Sequence, residues 1–233
     1  MRYQHRSRLY SIALVWAACL VAPVAVQTSD LPGQLPQDPI VTGAPYSADQ
    51  VTTVRLTTFG SPIESRVVAR IYRDSAGRIR REQSVGGIET PGSPDRSELI
   101  VIIVDPVAGV MYTLNPATRT AYRMPIDRGV SAPSQGQEES LGTREFEGLV
   151  AIGRRASVTL SGSQAGSQAP VEIVDERWDS VDLRVPLLAR HRDSRSGEFE
   201  QRLANVRRAE PDPNLFIIPP TYTITDVTLP AGK

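Results

Sequence analysis

From Val51 onward the chain alternates apolar and polar residues in short runs separated by turn residues. That period-2 pattern predicts strands. Val51–Phe59 is rich in Thr and Val. Between Pro62 and Tyr72 the alternation is clean: Val67, Ala69 and Ile71 fall on one face, Arg66, Val68, Arg70 and Tyr72 on the other. Asp74-Ser75-Ala76-Gly77 is a turn and Arg78–Val85 returns, so the two runs form a β-hairpin. After a Pro-containing loop over 86–97, the run Leu99–Val104 is continuously apolar and β-branched. It reads as a central strand covered on both faces. Val110, Tyr112 and Leu114 alternate on the next strand, and Thr120–Met124 completes a three-strand meander.

Beyond a polar loop over 127–140, read as mobile, further strands are predicted near Gly142–Phe146, Leu149–Leu160, Val171–Trp178, Leu187–Arg192 and Phe199–Arg208. Arg195-Ser196-Gly197 turns the last hairpin, and Pro219-Pro220 ends the regular structure. No amphipathic run of ten or more residues stands out; short helices have room only near 44–50 and 178–184. The predicted fold is all-β, with at most one or two short helices: a curved antiparallel meander forming a half-open β-barrel of about nine to eleven strands. A sheet that long must curl or close to manage its edges.

The N-terminus carries a different pattern. Arg2, Arg6 and Arg8 precede an almost wholly apolar stretch from Leu9 to Val26, and a polar break follows at Gln27. This is the layout of a secretory signal peptide over residues 1–27. The apolar run is also near the lower length limit for a membrane span, so a retained anchor is the alternative. Cys19 is the sole cysteine, and Trp16-Ala17-Ala18-Cys19 resembles the lipobox at which bacterial lipoproteins are lipidated. Residues 28–50, with four Pro and two Gly, read as an extended linker. Residues 51–225 form one β domain, and 226–233 a tail.

Composition narrows the function. Removing the signal takes three Arg and no acid, leaving 23 basic and 26 acidic residues. No basic surplus points to nucleic acid. With Cys19 in the signal, the mature domain has neither disulfide nor thiolate metal site.

Residues from about Val171 to Thr225 resemble the C-terminal half of the LolA-like periplasmic lipoprotein-carrier fold. The elements are Leu187-Leu188, Asp193, Gly197, Asn205-Val206, Asp212, Leu215-Phe216 and Pro219. Asp74–Arg78 and Asp105-Pro106 also sit where the first-half hairpins of that fold would fall. The resemblance implies a curved, incompletely closed antiparallel sheet with helices over a concave apolar cavity. Relatives of that family include lipid-binding lipoproteins and a periplasmic stress-sensing regulator. The whole chain also resembles secreted bacterial proteins of unassigned function.

Residues suited to catalysis are sparse. His191 is the single histidine beyond the signal, so it builds no His-based metal site or triad alone. Asp175, Glu176, Asp179 and Asp182 cluster around Trp178; paired carboxylates can hydrolyse glycosides, but adjacent strand residues face opposite sides. No Gly-x-Ser-x-Gly elbow, phosphate cradle or calcium loop is present. No cofactor, metal or catalytic residue is therefore assigned.

The leading reading is a non-enzymatic, exported binding or carrier protein, periplasmic in the first instance and otherwise lipid-anchored or extracellular. Its concave face would accept a lipid or other apolar ligand on Val67, Ala69, Ile71, Val110, Tyr112, Leu114 and Trp178. Arg78 and Arg80, with Arg81 beside them, are candidates for an anionic headgroup; the competing role is pairing with Glu82 and Glu64 across the hairpin. Trp178 and the tail residues Phe216, Ile217, Ile218 and Tyr222 would either line a cleft or pack the sheet's last edge. The second reading is an envelope protein-interaction or sensor module without a small-molecule ligand, docking an envelope protein through sheet edges and the 127–140 loop; contact with the membrane at its periphery is a further expectation. A carboxylate-dependent glycan hydrolase is the third.

Overall fold

The computed structural model describes residues 40–58, 61–85, 98–126 and 137–227. The signal segment, Cys19, the first part of the linker, the loop over 86–97 and most of the 127–140 loop lie outside them. The described chain forms one curved, unclosed sheet of twelve strands. They are β1 (Tyr46–Thr58), β2 (Ser61–Arg73), β3 (Ile79–Val85), β4 (Glu98–Asp105), β5 (Val110–Asn115), β6 (Thr120–Pro125), β7 (Gln137–Phe146), β8 (Leu149–Leu160), β9 (Val171–Ser180), β10 (Pro186–Asp193), β11 (Gly197–Arg207) and β12 (Thr223–Asp226). One four-residue helix, α1 (Gly162–Ala165), and a 3-10 turn at Pro213–Phe216 complete the elements. No helix among the described residues is long and apolar enough to cross a membrane.

The all-β expectation is met, with three departures. The sheet is two meanders, β1–β6 and β7–β11, fused through an antiparallel β1–β11 pairing. Regular structure also resumes after Pro219-Pro220: β12 pairs with β6 in parallel, so the sheet is mixed and exceeds the expected strand count. Finally, β1 begins at Tyr46, inside the segment read as linker, and the helix sits at 162–165 rather than at 44–50 or 178–184. The prolines and glycines of 28–45 masked an alternation that begins right after Pro45.

β4 is not central to the sheet. Its continuous apolar run serves both faces, as its composition requires, but unequally. Val101 and Ile103 are buried with Leu114 and Ala121 under Ile218 and Tyr222 of the C-terminal segment. Ile100 and Ile102, on the opposite face, are only half-buried.

The largest core joins Tyr46, Ala48 and Ile71 to Leu183, Leu187 and Leu203, and continues to Leu188, Trp178, Ala151 and Leu149. A register shift between Pro186 and Leu188 allows consecutive residues, Leu187 and Leu188, both to be buried. Trp178 lies flat enough over Gly153 that a methyl group there would come within 2.6 Å of the ring, so only glycine fits. Gly197 is still tighter: its φ is +126°, and a side chain would meet the Arg55 carbonyl oxygen. A smaller core, Val171 and Ile173 with Ala165, is capped by α1.

Candidate functional site

Strand register decides which residues share a face, because neighbours in a ladder point the same way and the side-chain period is two. Ile71 stands opposite Ala48 on β1 and Arg81 on β3; Arg81 stands opposite Ile102 on β4, and Ile102 opposite Thr113 on β5. Tyr72 stands opposite Ser47 and Arg80; Arg80 opposite Ile103, and Ile103 opposite Tyr112. The expected apolar set therefore divides. Val67, Ala69 and Ile71 lie on one face, while Val110, Tyr112 and Leu114 lie on the other. Trp178 belongs with the second group, through Leu188, Arg202 and Val51. The pattern within each strand was read correctly. The difference lies in how the strands join, which the β3–β4 register decides.

The Tyr72 face is ionic at the middle of the sheet. Arg55 holds Glu64 at 3.0 Å and Glu198 at 3.1 Å, Arg190 holds Glu200 at 2.6 Å, and Arg155 holds Glu176 at 3.1 Å. A shallow groove of about 540 Å³ opens on this face among Ser47, Asp49, Arg70, Tyr72, Asn205 and Arg207. Ala48 and Val206 also line it, so its surface mixes polar and apolar groups.

Both headgroup candidates also lie near this side of the sheet and are occupied. Arg78 donates from Nε to Asp74 at 2.6 Å and lies 5.0 Å over the Phe216 ring. Arg80 donates from Nε to Glu82 at 2.7 Å and from Nη1 to the Leu215 carbonyl at 2.8 Å. Together they clamp the 3-10 turn onto the sheet. The Glu82 pairing matches the competing expectation; Glu64 pairs with Arg55 instead. Phe216 is buried, and Ile218 and Tyr222 cover the second core, so three of the tail's apolar side chains are packing residues.

Trp178 is a packing residue as well. It is buried, meets Phe146 with ring centroids 5.5 Å apart, and donates its indole N–H to Glu176 at 2.8 Å. Burial alone would raise the Glu176 carboxyl. The hydrogen bonds from Trp178 and Arg155, with the charges of Arg155 and Arg190, outweigh it and hold that carboxyl below its usual value. Asp175 points to the opposite face and meets His191 Nδ1 at 2.6 Å. Asp175 and Glu176 thus form no carboxylate pair, as adjacent strand positions require. Among the described residues no cluster of His, Cys, Asp and Glu could hold a metal ion.

The Ile71 face is apolar across β1–β6, and its burial runs down a gradient. At one end Tyr46 is 4% exposed and Ala69, near the middle, 1%; at the other end Leu56, Val85 and Ile63 are 41%, 45% and 55% exposed. The covered end is sealed by Arg73. Its side chain is buried, donates from Nε and Nη2 to the Ala44 carbonyl at 3.0 and 2.7 Å, donates from Nη2 to the Leu183 carbonyl at 2.5 Å, and lies 4.8 Å over the Tyr46 ring. Residues 40–44 and the β9–β10 turn are thereby tied over the sheet. Burial lowers the Arg73 pKa and raises that of Tyr46.

Nothing comparable holds the rest of this face among the described residues. Leu56, Ile63, Val85 and Tyr122 remain exposed, and Ile100, Ile102, Met111 and Met124 half-buried. The sequence reading missed this composition. Alternation pointed to Val67, Ala69 and Ile71, but Ile102 was hidden inside a run with no period, and Gln50 inside the presumed linker.

No family model matches the chain, and no curated protein matches it. Solved structures do show a resemblance. An uncharacterized conserved protein from Thermus thermophilus is 16% identical over 79% of this chain and 91% of its own, with a TM-score of 0.41. LprF from Mycobacterium bovis is 14% identical over 73% and 90%, with a TM-score of 0.33. A LolA superfamily protein from Nitrosomonas europaea is 10% identical over 79% and 92%, also at 0.33. Each is a resemblance at low identity.

Proposed function

We propose that this chain is an exported, non-enzymatic binding or carrier protein for a lipid or other apolar ligand, working in the periplasm or elsewhere in the cell envelope. One observation carries the reading: an apolar wall spans six strands, and its side chains stay exposed at one end, while the opposite face carries ion pairs at β1–β2 and its own closed core at β4–β6. Contiguous apolar surface of this kind is costly in water and marks a site that is covered in use. The site is a wall rather than a closed pocket, so it suits an elongated acyl chain lying across strands better than a compact heterocycle. Val67, Ala69 and Ile71 belong to it; Val110, Tyr112, Leu114 and Trp178 do not.

Native mass spectrometry of the exported protein, purified without detergent, tests this. The expected result is a mass increment that solvent extraction releases as a lipid. A clean unliganded mass from several independent preparations overturns it. A stoichiometric protein partner with no lipid would transfer the wall to protein docking.

A further inference from the structure

The apolar wall contains a polar island that its folding does not explain. Arg81 stands between Ile71 and Ile102. Its Nη2 donates to Gln83 Oε1 at 2.7 Å, and no carboxylate pairs with it among the described residues. Burial is the one cause that shifts its pKa, downward. An arginine stays charged under such burial, so a partly desolvated cation is left without a counter-charge. That arrangement costs stability.

A second observation lies beside it. Gln50 is 7% exposed, and its Oε1 has no hydrogen-bond partner among the described residues. Gln50 stands opposite Ala69, and Ala69 opposite Gln83. The two amides are thus two strand spacings apart on the same face, roughly 10 Å between backbones, and Arg81 is the next same-face residue along β3 from Gln83.

A buried acceptor without a donor and a half-buried cation without an anion, set together in a greasy wall, are complementary to one kind of molecule. We propose that Arg81, Gln83 and Gln50 form the head-group site for an anionic acyl amphiphile. Its carboxylate or phosphate would meet the Arg81 guanidinium and the Gln83 amide N–H, a hydroxyl of its head would donate to Gln50, and its chain would run toward Ile63 and Val85. Carboxylate and phosphate both fit the planar donor fork of an arginine; the hydroxyl favours a glycerol-phosphate head over a plain fatty acid. This proposal rests on the carrier reading and adds the class of ligand. Arg73, on the same face, cannot substitute, because its donors are taken by carbonyls.

The test measures binding of hexadecanol, palmitate and palmitoyl lysophosphatidate to the full exported chain by calorimetry, below their micellar concentrations. The wild type is expected to bind both anions about tenfold or more tightly than hexadecanol, a difference of about 1.4 kcal/mol, with lysophosphatidate the tighter of the two. Arg81→Met should erase that preference and leave hexadecanol affinity within about twofold. Arg81→Lys should keep part of it, and Gln50→Leu should remove the advantage of lysophosphatidate over palmitate. Wild-type affinity that is equal for alcohol and anions overturns the head-group site while leaving the carrier reading intact. Failure of all three probes to bind overturns both. Should Arg81→Met not fold, the wild-type ratio and Arg81→Lys decide the question.

Discussion

Two arginines on one face of adjacent strands live in opposite circumstances. Arg73, at the covered end, meets three hydrogen-bond acceptor contacts and an aromatic ring. Arg81, farther along the wall, has a single amide oxygen. Around Arg73 the chain folds back on itself: residues 40–44 and the 181–185 turn supply the cover. Around Arg81 the described chain supplies none, and Ile63 and Val85 beyond it stay exposed. The same face thus serves as core at one end and as surface at the other. A charge in the core is tolerated because its donors are used; a charge in the open region is tolerated only at a cost. The difference separates what holds the sheet together from what the sheet is free to bind.

The comparison breaks most visibly at Arg73. Replacing it with Met orphans the Ala44 and Leu183 carbonyls and unties both covering segments. About 3 kcal/mol of stability should be lost, read as a lower urea midpoint. Hydrogen exchange should quicken first at 40–44 and 181–185. If those segments kept their protection, Arg73 would not be the clasp.

Next in size is Gly153→Ala, in the same contiguous core. Its methyl group would have to displace the Trp178 ring, so a loss of about 2 kcal/mol is expected, with a red shift in indole emission as the ring moves toward water. Acid should reach the same ring by another route. Glu176 accepts the indole N–H, and its carboxyl is held below its usual value. A group with a lowered folded-state pKa stabilises the protein above its unfolded value and loses that contribution as pH falls through the folded value. The Trp178 environment should therefore be constant from neutral pH down to the ordinary carboxylate range, then loosen below it. Glu176→Gln should flatten that acid limb.

A smaller effect, of opposite sign, is expected in the open region. Gln50→Leu removes a buried acceptor that has no donor among the described residues and keeps the side-chain volume, so stability should rise by about 1 kcal/mol. A destabilised Gln50→Leu would mean that Gln50 serves packing, and the orphaned oxygen would lose its functional meaning.

Much of this division was legible in the sequence, strand by strand. Alternation at 62–72 placed Val67, Ala69 and Ile71 correctly, and the Asp74–Gly77 and Arg195–Gly197 turns are where the pattern put them. What failed was what strand-local patterns cannot encode. Nothing in Val110, Tyr112 and Leu114 states that they pair through Ile103 and Arg80 with Tyr72 rather than with Ile71. That follows from the register across β3–β4. The local pairing of Arg80 with Glu82 was legible, but the contacts of Arg78 with Phe216 and of Arg80 with Leu215 span more than a hundred residues and were not. Arg81 stood in the same basic run and differs from Arg80 only by parity. Parity sent it to the apolar side, away from the acids.

The mildest prediction concerns the exposed rim itself. If the open end is binding surface rather than core, Ile63→Ser should change stability by less than about 0.5 kcal/mol, since the side chain it removes is already more than half exposed. The same substitution should weaken an acyl probe, because the chain would lose apolar contact at that point. The logic reverses for Ala48→Ser, at the covered end, where a hydroxyl would enter a closed core and cost stability without touching the probe. Each variant should thus move one readout and leave the other. Should Ile63→Ser instead unfold the protein as readily as a core variant, the rim would be covered in the native state by chain outside the described segments. The wall would then be interior along its whole length, and the contrast between its two ends would collapse.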